Sequence, residues 1–257
     1  MTDTRLTIAL GEYDIGWQDP KHSLAAADRI VSRDASVGAQ VVVLPEMTTT
    51  GFTMDREQAV PVDSGDVRAL REMAHKHDVW LIAGVALRAE EDPTCAVNAA
   101  LAIDPAGDVV AMHRKQRLFA YGDEHKSYAP GDQSTVIAIG DVRIGLFICY
   151  ELRFPEVFGA IARDVDAMIL IANWPASRQE HWDALLRARA IENQCYVVAV
   201  NRVGTANGLS YVGGSTGFDP WGDRLPTALA GSTRLVTVDA ARTRELRAKY
   251  PFLKDRR

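Results

Sequence analysis

The stretch VRIGLFICYELRFPEVF, residues 142–158, contains an apolar run that ends at a single cysteine, Cys149. A proline, Pro155, follows six residues later. Residues 144–148 carry no charge, which is typical of a strand covered on both faces. Pro155 suits the first turn of a helix. The stretch therefore predicts a buried strand, a turn that displays Cys149 and a helix, which is the alternation from which α/β folds are built.

The same alternation extends through the rest of the chain. Asp19 as N-cap, Pro20 at the first helical position and Gly38 after the last turn predict one helix clearly. These signals together predict an α/β protein with mixed sheets and outer helices, in one domain over residues 1–257. Strands are predicted over residues 6–17, 39–46, 79–87, 165–173, 195–204, 210–219 and 232–240, helices over 19–38, 64–78, 154–164 and 177–194 and near the C-terminus, and strand pairs over 96–115 and 134–149.

Composition narrows the class of protein. With 257 residues, 47% of them hydrophobic, the chain has enough apolar material for one large core. A net charge of -5 without a long basic run argues against nucleic acid and anionic membrane as partners. No apolar run reaches the roughly 18 residues of a bilayer span, and the first residues do not resemble a signal peptide. We expect a soluble, cytoplasmic protein.

Metal and histidine sites find little support in the sequence. The three cysteines lack C-x-x-C spacing, so neither a disulfide framework nor a metal site is expected, and no cofactor is predicted. His75 and His77 lie two apart in a predicted helix and face different directions. His113 precedes Lys115 by two residues in an extended run, which makes it a candidate neighbour of any site at Lys115.

Three reactive groups stand at or just after predicted strand ends, where ligands collect in α/β sheets: Glu46, Lys115 and Cys149. A free thiol has a pKa about 1.5 units above 7, so Cys149 needs a base, a cation or a helix start nearby to react. Taken singly, Glu46 could be a solvated carboxylate, Lys115 a solvated cation and Cys149 a core thiol. Together they supply the nucleophile, the base and the oxyanion-stabilising charge of covalent acyl transfer.

The segments LPEMTTTGF, HRKQRLF and CYELRFPEVF, in this order, resemble the three signature segments of the nitrilase, or carbon-nitrogen hydrolase, superfamily. Residues 172–204 are most similar to its omega-amidase-type branch. The resemblance implies a four-layer α-β-β-α sandwich with two mixed sheets, assembled as a homodimer. It also implies that Glu46 is the general base, Lys115 the oxyanion-stabilising residue and Cys149 the nucleophile.

Four further residues are assigned to the site, Glu124 from the resemblance and the other three from their position in the chain. Glu124, in GDEHKSYAPGD, is implied to hold Lys115 or to help position the substrate, although it could be a charge in a polar loop. The backbone N–H of Tyr150 is the expected second oxyanion donor. Asn173 and Trp174 are expected to line the pocket, and Trp174 could instead pack at the sheet edge.

The implied reaction is hydrolysis of the carboxamide of a small molecule through a cysteine thioester, with release of ammonia. A dicarboxylate monoamide or an alpha-keto acid amide would need a cation for its far carboxylate, and Arg153, Arg178 and Arg202 are the candidates. A nitrilase, an N-carbamoyl amide hydrolase, an enzyme for deaminated glutathione and a catalytically idle scaffold remain alternatives. Tyr150 stands where true nitrilases often have Trp, which favours amides.

Overall fold

The computed structural model describes residues 4–89, 91–92, 94–230 and 233–256. The strands are β1 (Arg5–Leu10), β2 (Val41–Val43), β3 (Trp80–Arg88), β4 (Ala96–Ile103), β5 (Val109–Arg114), β6 (Thr135–Ile139), β7 (Val142–Ile148), β8 (Ala167–Ala172), β9 (Tyr196–Asn201), β10 (Val203–Ala206), β11 (Leu209–Val212), β12 (Thr216–Phe218), β13 (Ala228–Ala230) and β14 (Thr233–Asp239). The helices are α1 (Pro20–Ser36), α2 (Gly65–His77), α3 (Glu124–Ser127), α4 (Pro155–Gly159), α5 (Gln179–Asn193) and α6 (Ala240–Lys249).

Two mixed sheets carry the fold. The first sheet has the strand order β13-β14-β1-β2-β3-β4-β5, with β1, β2 and β3 parallel and the other neighbours antiparallel. The second has the order β12-β9-β8-β7-β6, with β7, β8 and β9 parallel. Strands β10 and β11 form a separate hairpin. Each parallel core places the carboxyl ends of its strands along one edge.

The side chains of β1 and β2 show how the sheets are layered. Ile8 and Val43 join a buried cluster shared with β7, β8 and β9 of the second sheet, whereas Ala9 and Val42 join a cluster with α1 and α2. This alternation follows from the two-residue period of a strand. Helices α4 and α5 cover the second sheet from its other side. The predicted α-β-β-α sandwich is therefore confirmed.

Local signals placed α1 and α2 well, whereas the helix predicted over residues 154–164 is limited to α4, Pro155–Gly159. The Asp19 side chain accepts a hydrogen bond from the His22 N–H at 3.0 Å, Pro20 is the first residue of α1, and Gly38 follows it with φ +92°. In α2, the Ser64 hydroxyl accepts from the Val67 N–H. The described helices include none with the length and apolar character needed to traverse a lipid bilayer.

The predicted strands were wrong in four places, the first being the run 39–46, of which only Val41–Val43 is strand. The run 6–17 leaves the sheet after Leu10, and the run 195–204 breaks into β9 and β10. The run 210–219 is two strands, β11 and β12, because Gly213 and Gly214 between them adopt φ +68° and +80°, outside the extended region. Strand β13 was not predicted. Of the run 232–240, residue 232 lies outside the described residues.

Candidate active site

Three chain segments bring the predicted reactive groups together. Glu46 lies three residues after β2, and Lys115 and Cys149 come directly after β5 and β7. The first two strands belong to one sheet and the third to the other, so the site joins both halves of the sandwich. Glu46 and Lys115 have no exposed surface, and Cys149 retains 9%.

The Lys115 ammonium is held between two carboxylates. Its Nζ donates to Glu46 Oε1 at 2.8 Å and to both oxygens of Glu124 at 3.0 Å. Asn98 Nδ2 donates to the Oε1 atoms of the same two glutamates, at 2.7 and 2.8 Å. Burial disfavours the ammonium charge, but Glu124 and Glu46 outweigh it and raise the pKa of Lys115. The raised pKa keeps Lys115 in its protonated form near neutral pH.

Glu46 is fixed on its other side by Asn173, which follows β8. The Asn173 N–H donates to Glu46 Oε2 at 2.9 Å, and the Asn173 side-chain amide donates to the Glu46 carbonyl at 2.5 Å. Both oxygens of the Glu46 carboxylate are thus engaged. Their orientation is set before any substrate arrives.

Gly84 on β3 allows the Glu46 segment to lie against the sheet. A Cβ at Gly84 would lie 2.6 Å from Glu46 Cα and 2.5 Å from Met47 N. At such distances the backbone of Glu46 and Met47 would have to move to make room for the new Cβ. Gly84→Ala is therefore expected to cost about 1–3 kcal/mol of unfolding free energy, as overpacking does. Urea denaturation measures this cost. The control is Gly65→Ala at the start of α2, whose Cβ would meet only Arg68 Nη2, at 3.9 Å; an equal loss in both variants would contradict the role of Gly84.

Cys149 adopts φ +47°, a left-handed conformation that is uncommon for residues other than glycine. Its Sγ lies 3.9 Å from the Asn173 carbonyl oxygen. Burial raises the pKa of the Cys149 thiol and the Glu46 charge raises it further, while Lys115 opposes both. A short helical turn begins at Cys149 itself and α4 begins at Pro155, close to the predicted start, yet burial and Glu46 still leave the pKa of the Cys149 thiol raised. The resting thiol is neutral.

The structure places the other predicted residues in the same region. Glu124 begins α3 and accepts a hydrogen bond from the Phe119 N–H at 2.6 Å. The ring of Tyr150 packs edge-on to Phe119, with centroids 5.0 Å apart. Trp174 is almost fully buried, and its indole N–H donates to the Arg178 carbonyl at 2.8 Å. Trp174 therefore both packs the sheet edge and borders the pocket described next.

A cavity of about 210 Å³ opens beside Cys149. Arg153 and Arg178 line it, whereas Arg202 does not. Arg202 is buried elsewhere, with its guanidinium donating to Asp14 Oδ1 at 2.7 Å and to the Ile15 carbonyl at 2.8 Å. Two of the three candidate arginines therefore reach the cavity. The remaining lining residues are Phe52, Met54, Phe119, Tyr121, Gly122, Tyr150, Asn173, Trp174, Pro175, Asn207, Leu209 and Tyr211.

Sequence reasoning missed Asn98 as a site residue. It lies in β4, and its carboxamide bridges Glu46 and Glu124. The available signal was a single amide in the otherwise apolar strand AVNAALAI. A buried polar side chain in such a strand needs hydrogen-bond partners, and here those partners are the carboxylates of the site.

No group of three or more His, Cys, Asp or Glu side chains suited to a metal ion occurs in the part of the chain that the structure describes. His77 Nε2 lies 3.2 Å from Asp28 Oδ1 at the surface of α2. His113 is fully buried and lies against Glu151 rather than against Cys149.

Comparison with known proteins places the chain in a family. The carbon-nitrogen hydrolase family model matches residues 7–248. The chain is 37% identical to omega-amidase YafV of Escherichia coli K12, over 97% of this chain and 96% of that protein. It is 32% identical to 2-oxoglutaramate amidase of Bacillus subtilis, with the same shares covered.

A solved structure agrees over the same length. The protein XC1258 of Xanthomonas campestris, described as a CN-hydrolase superfamily protein with an arsenic adduct in the active site, superimposes with a TM-score of 0.89. The two chains are 33% identical, and the match covers 98% of this chain and 97% of the other. This protein belongs to the carbon-nitrogen hydrolase family.

Proposed function

We propose that this protein is an amidase that hydrolyses the terminal carboxamide of a small molecule bearing a distant carboxylate, with release of ammonia. One observation carries the proposal: the buried cluster of Glu46, Lys115 and Cys149 meets a cavity beside the cysteine that is lined by two arginines. The relatives named omega-amidase and 2-oxoglutaramate amidase support this choice of substrate class.

In the first half of the proposed reaction, the Cys149 sulfur attacks the carboxamide carbon. Because the thiol is neutral at rest, its proton passes to Glu46 as the C–S bond forms. The Lys115 ammonium and the Tyr150 N–H stabilise the oxyanion. Glu46 then gives the proton to the leaving nitrogen, ammonia departs, and the acyl group remains on Cys149 as a thioester.

In the second half, Glu46 takes a proton from a water molecule that attacks the thioester carbonyl. The same oxyanion donors act again; as the tetrahedral intermediate collapses, the C–S bond breaks, Glu46 returns its proton to the Cys149 sulfur, and the carboxylic acid is released. Glu124 is proposed to position Lys115, because it binds Nζ and the Phe119 N–H. No step needs a cofactor.

Asn173 is proposed to contact the substrate. Its side-chain Oδ1 is buried and has no hydrogen-bond partner among the described residues, although Asn173 lines the cavity. A buried acceptor without a partner costs free energy, and a substrate NH₂ group would satisfy it. Trp174 is proposed to form the adjoining wall. A nitrile offers no N–H to this oxygen, which favours an amide over a nitrile.

Arg178 is the better of the two candidates for the distant carboxylate. Arg153 Nη2 lies 3.1 Å from His181 Nδ1, and its guanidinium stacks over Trp174 at 5.0 Å. The Arg178 guanidinium faces the Phe119 ring at 5.4 Å, and its N–H groups have no hydrogen-bond or ion-pair partner within the described ranges. Arg178 therefore retains its donors for a ligand.

Arg178→Gln should raise KM for a dicarboxylate monoamide by about 10–100-fold, the loss expected for a charge-assisted hydrogen bond, with kcat nearly unchanged. The matched control is Arg187→Gln, an exposed arginine of α5 outside the cavity. Steady-state kinetics on an amide with the carboxylate and on one without it test the assignment. An equal effect on both amides would contradict it.

A substrate panel tests the function itself. Ammonia release is expected to be fastest with a dicarboxylate monoamide or an alpha-keto acid amide. Nitriles, N-carbamoyl compounds and deaminated glutathione complete the panel. If one of these outpaces every carboxylate-bearing amide, that alternative replaces the proposal, and if none is turned over, a catalytically idle scaffold is favoured.

We also propose a single domain over residues 1–257, a homodimer and a cytoplasmic location. The buried cluster shared by both sheets supports one domain, and the free thiols support a reducing compartment.

Exposed apolar side chains of Trp221 and Phe252 offer a surface for a second copy of the chain. Their rings flank Tyr250, at 5.1 and 5.8 Å between ring centroids. Light scattering should then give twice the chain mass of 28.2 kDa.

A further inference from the structure

Glu151 lies two residues after Cys149 and is fully buried, yet it has no place in the reaction described above. Its Oε2 accepts a hydrogen bond from the Ile148 N–H at 2.6 Å, and its Oε1 accepts from the Gln116 N–H at 2.7 Å. Ile148 directly precedes Cys149, and Gln116 directly follows Lys115. One carboxylate therefore binds the backbone beside both groups.

His113 completes the surroundings of this carboxylate. Its Nε2 lies 3.1 and 3.2 Å from the two oxygens of Glu151, while its Nδ1 has no hydrogen-bond partner among the described residues. Because a carboxylate only accepts hydrogen bonds, the Nε2 nitrogen carries the N–H that is donated to Glu151. Glu151 thus receives three N–H groups, which is a favourable environment for a buried negative charge.

The contact spans the two sheets. His113 lies on β5 of the first sheet, paired with Ala100, and packs against Phe147 of β7 in the second sheet at 6.2 Å between ring centroids. Cys149 holds a left-handed backbone conformation that neighbouring structure must maintain. The Leu152 carbonyl, in the same turn, accepts two hydrogen bonds from Arg189 of α5, at 2.8 and 3.1 Å.

We propose that Glu151 is a positioning residue that sets the separation of Cys149 and Lys115 across the two sheets, and that His113 holds Glu151 in place. The inference rests on the roles proposed above for Cys149 and Lys115. In Glu151→Gln, an NH₂ group replaces one of the carboxylate oxygens and faces a backbone N–H, so one of the two backbone contacts is lost. The turn carrying Cys149 is then free to move relative to Lys115.

The first readout is steady-state kinetics. Glu151→Gln should lower kcat by about 10²-fold, as small misplacements of catalytic groups do, with KM changed by less than about threefold. The matched control is Glu156→Gln, an exposed carboxylate that pairs with Arg117 at 3.6 Å, which should leave both constants unchanged. Circular dichroism and thermal melting establish that each variant is folded.

The second readout does not depend on the substrate. Lys115 lowers the pKa of Cys149, so a longer separation should slow alkylation of Cys149 by iodoacetamide at fixed pH in the folded variant, by about tenfold. The same peptide should react at the parent's rate in urea. A role in stability alone would lower the melting temperature and leave the alkylation rate of the folded protein unchanged.

A folded Glu151→Gln variant with kcat within twofold of the parent's and with the parent's alkylation rate would overturn the proposal. If that variant does not fold, His113→Leu takes its place, because it removes one donor to Glu151 and keeps both backbone contacts. It would overturn the proposal in the same way, with kcat within twofold of the parent's and the parent's alkylation rate. A parent protein that releases no ammonia from any amide would contradict the proposed function, while the alkylation rates would still decide the role of Glu151.

Discussion

Replacing Cys149 with alanine should abolish ammonia release while leaving the protein folded. The variant lacks the atom that forms the thioester, and the oxyanion donors alone cannot provide that route, so kcat is expected to fall by at least about 10⁴-fold. Cys149 is 9% exposed and borders the cavity, so loss of its sulfur leaves no closed void in the core. Ammonia release and circular dichroism measure the two parts of the prediction.

The two other cysteines provide matched controls. Cys195 is fully buried and its pKa is raised to about 12 by burial, so it is an inert core thiol. Cys195→Ala should cost some stability and leave kcat unchanged, and Cys95→Ala should change neither. If Cys149→Ala still released ammonia at the parent's rate, the covalent mechanism would be wrong.

Replacing Lys115 with methionine should have the second largest effect, on both activity and stability. Glu46 and Glu124 would remain buried without their shared cation, and removing one partner of a buried ion pair costs about 3–5 kcal/mol of unfolding free energy. Loss of an oxyanion-stabilising group lowers kcat by about 10²–10³-fold. Urea denaturation and ammonia release measure these losses.

A surface lysine provides the comparison for the stability loss of Lys115→Met. The control is Lys126→Met on α3, where an exposed pair with Asp123 contributes about 0–1 kcal/mol. Equal losses in the two variants would contradict the buried-cation account.

Local sequence patterns were sufficient to predict what lies within one element. Capping residues placed α1, and apolar runs placed the strands that lead to Glu46 and Cys149. These signals depend on residues a few positions apart, which is why they are readable from the chain. The neighbouring Gly213 and Gly214 were also visible, yet the strand-like pattern around them concealed the break between β11 and β12.

Contacts between distant segments were not predictable from those patterns. Strand β1 pairs with β14, so that Arg5 lies opposite Asp239, and periodicity carries no information about such a partner. The sequence patterns also do not show which of the candidate arginines lines the cavity. Arg178 and Arg202 both follow strands of the second sheet, and only the fold shows that Arg202 forms an ion pair with Asp14 and does not line the cavity.

The roles of Asn98 and Glu151 show the same limit. Asn98 acts through carboxylates 52 and 26 residues away, and Glu151 binds the Gln116 N–H 35 residues away. Both side chains were visible in the sequence as polar groups in apolar surroundings. That signal indicates that partners must exist, but not which ones, because the partners are set by how the two sheets meet.

Mass spectrometry of the protein quenched in acid during turnover tests the central claim most directly. With a dicarboxylate monoamide as substrate, the peptide that contains Cys149 should gain the mass of the acyl group, and hydroxylamine added during turnover should divert product to the hydroxamic acid. Both observations would report a thioester on Cys149. Ammonia release with an unmodified Cys149 peptide and no hydroxamic acid, or with the acyl group on another residue, would contradict the mechanism.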